Sequence, residues 1–151
     1  MSDDLSPAQH AVAIEESRQR LINFVLQCTD EQWQCVLVEG DPRPIGVITD
    51  HVAHAYEYLA GWIGELLAGA SPEVSSEIVD GLNAEHAAEA AGMTPARVAG
   101  HLKTSGDALI NLIKGLEPAQ LELGDGRVGR FAVIAARHAD GHREEIQAAL
   151  G

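Results

Sequence analysis

Residues 44–69 read PIGVITDHVAHAYEYLAGWIGELLAG, and their apolar positions recur every three or four residues. That period is typical of an α-helix with one buried face. Pro44 suits the first turn of such a helix, and Gly69 suits its C-terminal end. The stretch therefore predicts a long helix from Pro44 to about Ala68. Its apolar stripe consists of Ile45, Ile48, Val52, Ala55, Leu59, Ile63 and Leu66.

Helix signals follow one another along the rest of the chain. Ser6-Pro7 and Thr94-Pro95 each join an N-cap residue to a proline, which is typical of a helix start. No stretch alternates apolar and polar residues with the period of two that a half-buried strand requires. We therefore predict an all-α fold, a four-helix bundle with short additional helices. The further helical segments are expected at about 7–28, 29–39 (with Trp33), 75–91, 95–114, 118–123 and 129–150.

The composition limits the classes of function. The 151 residues predict a single domain, residues 1–151, because domains hold roughly 150 residues. Lys and Arg number 10 against 23 Asp and Glu, which gives a net charge of −13. Binding to nucleic acid or to an anionic membrane needs clustered cations, so we expect neither as a partner. A small-molecule substrate is the expected partner instead.

Several features favour a cytoplasmic protein. Residues 1–4 are Met-Ser-Asp-Asp and lead into no apolar run, so we expect no signal peptide. No run approaches the roughly 18 apolar residues that a transmembrane helix needs. Cys28 and Cys35 lack the spacing of a CxxC motif and are too few for a disulfide framework, which favours a reducing compartment.

Two histidines fall on the apolar face of the last predicted helix. His138 and His142 lie in the middle of its stripe and, being four residues apart, project from one side. An unpartnered buried imidazole costs roughly 2 kcal/mol or more, whereas a metal ion takes a lone pair from each neutral ring. The pair therefore indicates a metal site, with hydrogen bonds to neighbouring groups or a wet groove as alternatives. The expected stripe consists of Phe131, Ile134, Ala135, Ile146 and Ala149.

A third histidine can join this pair from the helix that begins at Pro44. His51 lies about 80° from the centre of that helix's stripe, at its edge, whereas His54 lies about 140° away. We therefore expect His51 to meet His138 and His142 across a helix interface. His54 is expected to be peripheral. Three neutral histidine ligands leave a coordination position open, as in catalytic metal sites. A metal-free bundle with ordinary core histidines is the remaining alternative.

Polar residues near these histidines are candidates for supporting roles. Glu145 lies about 20° from His138 on the helical wheel, so it is either an outer partner of the site or a fourth ligand. Asn83 is expected either to support the cavity by hydrogen bonds or to lie on the helix surface. Asp50 and Asp140 are expected on solvated faces.

Four other ring-bearing residues are interpreted from their neighbours. Tyr58 and Trp62 are expected in core packing, with lining of a pocket as the alternative. His10 and His101 lie among polar residues, so we expect both at the surface.

Three segments carry a family resemblance: PIGVITDHVAH at 44–54, VDGLNAEH at 79–86 and RHADGHREEI at 137–146. They resemble, in that order, the first metal-ligand helix, the D-x-x-N-A stretch and the terminal HxxxH helix of the DinB-like superfamily. That superfamily includes the N-terminal domain of mycothiol-dependent maleylpyruvate isomerase. The segment LINFVLQCTDEQW at 21–33 also fits, so the resemblance spans almost the whole chain.

The resemblance implies an up-down-down-up bundle and a divalent metal ion held by His51, His138 and His142. Zinc or nickel is the first expectation, and manganese or iron the second. The resemblance also implies a transferase or isomerase that uses a low-molecular-weight thiol such as mycothiol, bacillithiol or glutathione. The alternative is a non-catalytic metal-binding or stress-induced bundle. A homodimer is compatible with either function. His54 and His86 are further histidines that can replace or supplement a ligand.

Overall fold

The computed structural model of the protein describes residues 5–35 and 38–151, and this part contains helices and no strand. The signal-peptide expectation falls on residues 1–4, and residues 36 and 37 belong to the predicted second helix; both lie outside the described residues. The all-α prediction is confirmed. The helices are α1 (Pro7–Gln27), α2 (Asp30–Trp33), α3 (Ile45–Leu67), α4 (Ser76–Glu89), α5 (Pro95–Lys114) and α6 (Leu123–Leu150), with a 3₁₀ helix at Pro118–Glu122.

Hydroxyl side chains begin four of these helices. Ser6 and Thr29 each accept a hydrogen bond from the backbone N–H of the third helical residue, a glutamine in both cases. The glutamine side-chain oxygen accepts the N–H of the cap residue in return. Ser75 and Thr94 cap α4 and α5 with one hydrogen bond each, again from the backbone N–H of the third helical residue. These caps satisfy N–H groups that a helix start otherwise leaves unpaired, which fixes where each helix begins.

The bundle consists of α1, α3, α5 and α6, and both α1 and α3 pack against α5 and α6. α3 runs antiparallel to α6, because His51 near the start of α3 faces His138 in the second half of α6. At the opposite end, Arg127 of α6 donates to Ser71 and Pro72, which follow α3.

α3 and α5 run parallel to each other. The Trp33 indole N–H donates to the Met93 carbonyl oxygen at 2.7 Å, just before α5. The backbone N–H of Ile45 donates to the Cys35 carbonyl oxygen, just before α3. These bonds hold the starts of both helices at one end of the bundle.

α1 runs parallel to α6. The starts of the two helices line one cavity, with Ser6 on one side and Gly126 on the other. Further along, the Arg20 guanidinium binds the Asp140 carboxylate through two hydrogen bonds. The up-down-down-up order implied by the resemblance is therefore present.

The core confirms one predicted stripe and corrects the other. Every member of the α3 stripe is buried. In α6, Ile134 is 48% exposed and Ala149 is also exposed, so the predicted α6 stripe is wrong at both positions. Small residues form much of the true face, since alanines let neighbouring helices approach closely. The buried α6 residues are Val128, Phe131, Ala132, Ala135, Ala139 and Ile146.

The start of α6 is irregular. Gly124, Asp125 and Gly126 all have positive φ, so regular helix begins only after Gly126, two residues ahead of the predicted Gly129. Glycine adopts this conformation without a Cβ penalty, whereas Asp125 does not. The Arg130 guanidinium donates to the Asp125 carbonyl oxygen at 2.8 Å and supports the bend. No helix in the described part of the chain is long and apolar enough to cross a membrane.

Two glycines of α3 provide a test of this packing. A Cβ at Gly46 would lie 2.8 Å from the buried Trp33 ring, whereas one at Gly61 would meet nothing within 4 Å. We expect Gly46→Ala to lower the free energy of unfolding by about 1–3 kcal/mol through overpacking. The matched Gly61→Ala should raise it by up to about 1 kcal/mol, because alanine favours helix. Urea unfolding measures both, and similar effects of the two changes would contradict the packing of Trp33 on α3.

Candidate metal centre

Three histidine rings converge where α3 meets α6. His51 projects from the second turn of α3, and His138 and His142 project from one side of α6. The Nε2 atom of His138 lies 3.0 Å from Nε2 of His51 and 2.9 Å from Nε2 of His142. One ring nitrogen from each residue lies within 4.8 Å of the other two. The sequence prediction that His51 meets the α6 pair is therefore matched by the geometry.

Burial keeps these rings neutral. Burial is the main cause that lowers the pKa of His51 to about 2, and a proton on His138 or His142 would repel one on His51 as well. Burial, followed by His142 and Arg43, lowers the pKa of His138 to about 3. The pKa of His142 is also lowered, chiefly by burial. All three imidazoles are therefore uncharged at neutral pH, and each can offer a lone pair to a metal ion.

The donor set fits a metal ion better than it fits hydrogen bonding alone. Nε2 of His138 contacts two other nitrogens, but a neutral imidazole carries one N–H in total. A proton on that nitrogen satisfies one contact and leaves the other. A cation accepts a lone pair from all three rings, and three-histidine sets are typical of zinc and related divalent ions.

Glu145 supports one of the rings from outside. Its Oε1 lies 3.3 Å from Nδ1 of His142, and the Glu145 side chain is 54% exposed. A carboxylate at Nδ1 favours the tautomer whose Nε2 lone pair points into the cluster. Of the two roles considered for Glu145, the geometry matches the outer partner.

The sequence matches the DinB superfamily over residues 13–146. This chain belongs to the DinB superfamily. Comparison with curated proteins and with solved structures gave no significant match. Membership in this metal-binding superfamily agrees with the three-histidine cluster, which the sequence segments 44–54 and 137–146 supply.

A second polar cluster lies beside the first in this DinB-superfamily protein, with 6.1 Å between the ring centroids of His86 and His51. The Asp50 carboxylate, only 2% exposed, contacts Nε2 of His86 and Nδ1 of His101, both at 2.7 Å. Nε2 of His101 also contacts the Glu57 carboxylate. The expectations of a solvated Asp50 and a surface His101 are therefore wrong. α4 and α5 cover this side of α3, which a helical wheel of α3 alone does not reveal.

The charges in this cluster stabilise one another. Burial opposes the ionised form of Asp50, but hydrogen bonds from His101 and His86 lower its pKa to about 2. The hydrogen bond to Asp50 outweighs burial at His101 and, with Glu57, raises its pKa to about 9. The cluster therefore holds at least one protonated histidine against two carboxylates at neutral pH.

His54 borders the second cluster through His86 of α4. The His54 ring stacks on His86, with 5.0 Å between the ring centroids, so His54 is partly exposed and faces a neighbouring helix. Neither His54 nor His86 belongs to the group of three. Within the described residues, three buried atoms here have no hydrogen-bond partner: His54 Nε2, His86 Nδ1 and Asn83 Oδ1. Asn83 is half-buried with its side-chain oxygen unpaired, so the structure does not show the supporting hydrogen bonds expected of it.

The remaining predicted residues lie in less central places. The Tyr58 and Trp62 rings contact each other at 4.8 Å and pack on the core, as expected. Asp140 is bound by Arg20 and Arg143 instead of being freely solvated. His10 is 2% exposed, so its surface assignment is wrong.

A surface depression gives access to the cluster. It has a volume of about 430 Å³ and is lined by α6 residues, among them Arg137, His138, His142 and Glu145. Tyr58 and Trp62 do not line it. Two of the three converging rings are therefore reachable by a small molecule from the α6 side.

Arg43 is a charged residue near the site that the sequence interpretation did not consider. Its Nε and Nη2 donate to the two oxygens of Asp41 at 2.9 and 2.8 Å. Its positive charge contributes to the lowered pKa of His51, His138 and His142. Arg43 lies in the loop before α3, where no helical period predicts the direction of a side chain. The one sequence feature that marks it is its position between two prolines, Pro42 and Pro44.

Metal binding should depend on the converging histidines. We expect the purified protein, loaded with zinc or nickel, to carry about one ion per chain. His51→Ala should lower this occupancy far more than His54→Ala, because His51 supplies one of the three nitrogens and His54 supplies none. Elemental analysis after dialysis measures the occupancy. Equal losses, or a larger loss in the His54 variant, would contradict the ligand set.

The raised pKa of His101 predicts a pH dependence of stability. The folded protein keeps a proton on His101 up to about pH 9, whereas the unfolded chain releases it near 6.5. The stabilisation is therefore complete below pH 6.5 and is lost as the pH rises through 9. The difference in free energy of unfolding between wild type and His101→Gln should shrink over this interval. Urea unfolding of the metal-free proteins measures it, and a constant difference would refute the assignment.

Proposed function

We propose that the protein is a metal-dependent enzyme that uses a low-molecular-weight thiol at the three-histidine site. The observation that carries this proposal is the convergence of three neutral imidazole nitrogens within 4.8 Å beside a surface depression. Three neutral ligands leave coordination room for a guest, which a closed four-ligand structural site does not. The sequence offers three candidates for a fourth ligand. All of them, Glu145, His54 and His86, lie outside the group of three histidines, which supports an open coordination position.

The residues of the chain divide the work as follows. His51, His138 and His142 would hold a divalent ion, zinc or nickel first, in a neutral protein environment. Such an ion favours the deprotonated form of a thiol near neutral pH and so supplies a sulfur nucleophile. Glu145 fixes the His142 ring by its contact with Nδ1. The α6 depression admits the small molecules.

The proposed reaction is a transfer or an isomerisation. In the transfer, the thiol loses its proton to solvent, sulfur forms a bond to an electrophilic carbon, and the leaving group departs with its bonding pair. In the isomerisation, sulfur adds to a conjugated double bond, the resulting single bond rotates, and sulfur departs to restore the double bond.

A cytoplasmic location fits this chemistry. Cys28 and Cys35 are both free thiols, and each is partly buried. Free cysteines persist in reducing compartments, where low-molecular-weight thiols are also kept reduced. We include a homodimer in the proposal only as a state to be measured.

Thiol binding tests the proposal directly. Cobalt-loaded protein should show a changed visible absorption spectrum when titrated with mycothiol, bacillithiol or glutathione, because a guest at the ion alters its ligand field. His138→Ala should abolish the change, and Arg97→Ala, on α5, is a control that should leave it intact. An unchanged spectrum with all three thiols would favour the alternative, a non-catalytic metal-binding bundle.

A further inference from the structure

A cavity lies between the start of α1, the 3₁₀ helix and the start of α6. Its volume is about 900 Å³, and its lining includes Gln9 of α1, Leu121 of the 3₁₀ helix and Gly129 of α6. Ligand pockets of proteins have volumes of about 300–1,000 Å³, so this cavity has room for a small molecule or for a large part of one. None of the three clustered histidines lines it, so it is a separate space from the metal centre.

This cavity adjoins the surface depression beside the metal centre. Val133, Ile134 and Arg137 line both of them. The α6 residues that line the two spaces recur every three or four positions from Gly126 to Glu145, so they lie on one side of that helix. One face of α6 therefore runs from the cavity to the clustered histidine rings.

An apolar segment occupies the middle of this face. Ile134 is 48% exposed, although the sequence predicted it in the core. Its side chain lines the cavity as well as the depression, and Val133 beside it is half-buried. Covering apolar surface that water otherwise contacts is favourable. A molecule that passes from one space to the other therefore gains affinity from an apolar segment at this point.

The cavity offers hydrogen bonds of both kinds near Gly126. A Cβ at Gly126 would lie 3.2 Å from Nη1 of Arg130 and 3.9 Å from Oε2 of Glu122, so both side chains lie beside that glycine. The guanidinium donates hydrogen bonds, the carboxylate accepts them, and their charges cancel. Arg137 and Asp125, which also line the cavity, balance in the same way. A neutral group that both donates and accepts, such as a hydroxyl or an amide, matches this lining better than a charged group.

The polar end of the cavity and the metal centre are far apart. Arg130 and His138 are eight positions apart, which at a rise of about 1.5 Å per residue is about 12 Å along α6. A molecule whose sulfur lies at the ring nitrogens reaches the polar groups of the cavity only if it extends over that length. The smallest thiols fall short of it.

We infer that the molecule bound at the three-histidine site is an extended one. Its reactive end lies at the metal centre, its apolar segment lies on Val133 and Ile134, and its neutral polar end lies in the cavity beside Gly126. This inference rests on the proposed function and deepens it, because it sets the length and the polarity of the thiol or of its conjugate. Ile134 is then a specificity-determining residue.

A series of thiols of increasing length tests this inference. 2-Mercaptoethanol, 6-mercapto-1-hexanol and 9-mercapto-1-nonanol share both end groups and differ in the length of the apolar chain. Titration of cobalt-loaded protein, followed by visible absorption, gives a dissociation constant for each. We expect the longest thiol to bind at least about thirtyfold more tightly than the shortest, because its chain removes Ile134 from water. Equal affinities across the series would overturn the inference.

Ile134→Asn and Leu26→Asn are matched variants. Both residues are apolar and helical, with exposed fractions of 48% and 57%, but Leu26 of α1 lines neither the cavity nor the depression. Ile134→Asn should lower the preference for the longest thiol by about fivefold, and Leu26→Asn should keep it. Comparing this ratio between variants cancels direct binding of sulfur to cobalt, which is common to all of them. An unchanged ratio in Ile134→Asn, or an equal loss in Leu26→Asn, would contradict the inference. The melting temperature of each variant shows whether it is folded.

The position of the bound chain is an independent readout. In NMR spectra of isotope-labelled, zinc-loaded protein, 9-mercapto-1-nonanol should shift the backbone amide signals of Gly126 and Gly129, which line the cavity. 2-Mercaptoethanol should shift only the signals of residues near the metal centre. If the longest thiol also leaves both glycine signals in place, its chain does not enter the cavity and the inference is wrong.

A thiol-free probe separates this inference from the proposed function. 1-Nonanol has the same apolar chain and hydroxyl as the longest thiol but no sulfur to bind the ion, and it should shift the Gly126 and Gly129 signals of the metal-free protein. If no thiol changes the cobalt spectrum but 1-nonanol shifts both signals, the thiol function fails and the extended site along α6 stands. If all three thiols bind equally and 1-nonanol shifts neither signal, the thiol function stands and the extended site fails.

Discussion

Neutral imidazole rings inside an apolar bundle are the constraint on which the rest of this structure depends. His51, His138 and His142 are uncharged because burial penalises their protonated forms. Their nitrogens lie too close together for tautomers alone to satisfy every contact. The antiparallel packing of α3 and α6 brings these rings together, and the alanines of α6 allow that approach. Metal-ligand chemistry and helix packing therefore impose the same geometry.

One turn of α3 serves two chemically opposite environments. Asp50 and His51 are adjacent, and successive helical residues differ by about 100° in direction. His51 faces the neutral rings of α6, whereas Asp50 faces His86 of α4 and His101 of α5. The charged groups are thereby concentrated on one side of the helix. Lone pairs remain available toward α6, because the carboxylates of the second cluster form their hydrogen bonds with His86 and His101.

The sequence predicts the elements better than it predicts what covers them. The α3 stripe follows from its own period, and His138 and His142 share a side because they are four residues apart. The α6 stripe was wrong at Ile134, since large apolar residues weighed more than the alanines that form the contact. Asp50 and His101 were misplaced because their burial depends on the neighbouring helices α4 and α5. Arg43 lies in a loop, where no periodicity reports the direction of a side chain.

The residues that converge on the centre lie far apart in the chain. His51 and His138 are separated by 87 positions, and the helix that carries His138 is the last one. During synthesis on a ribosome, α1 to α5 emerge before α6 is complete. Any cation that meets the nascent chain early finds one imidazole of the three. Loading therefore awaits α6, so occupancy of the site also reports that α3 and α6 have packed against each other.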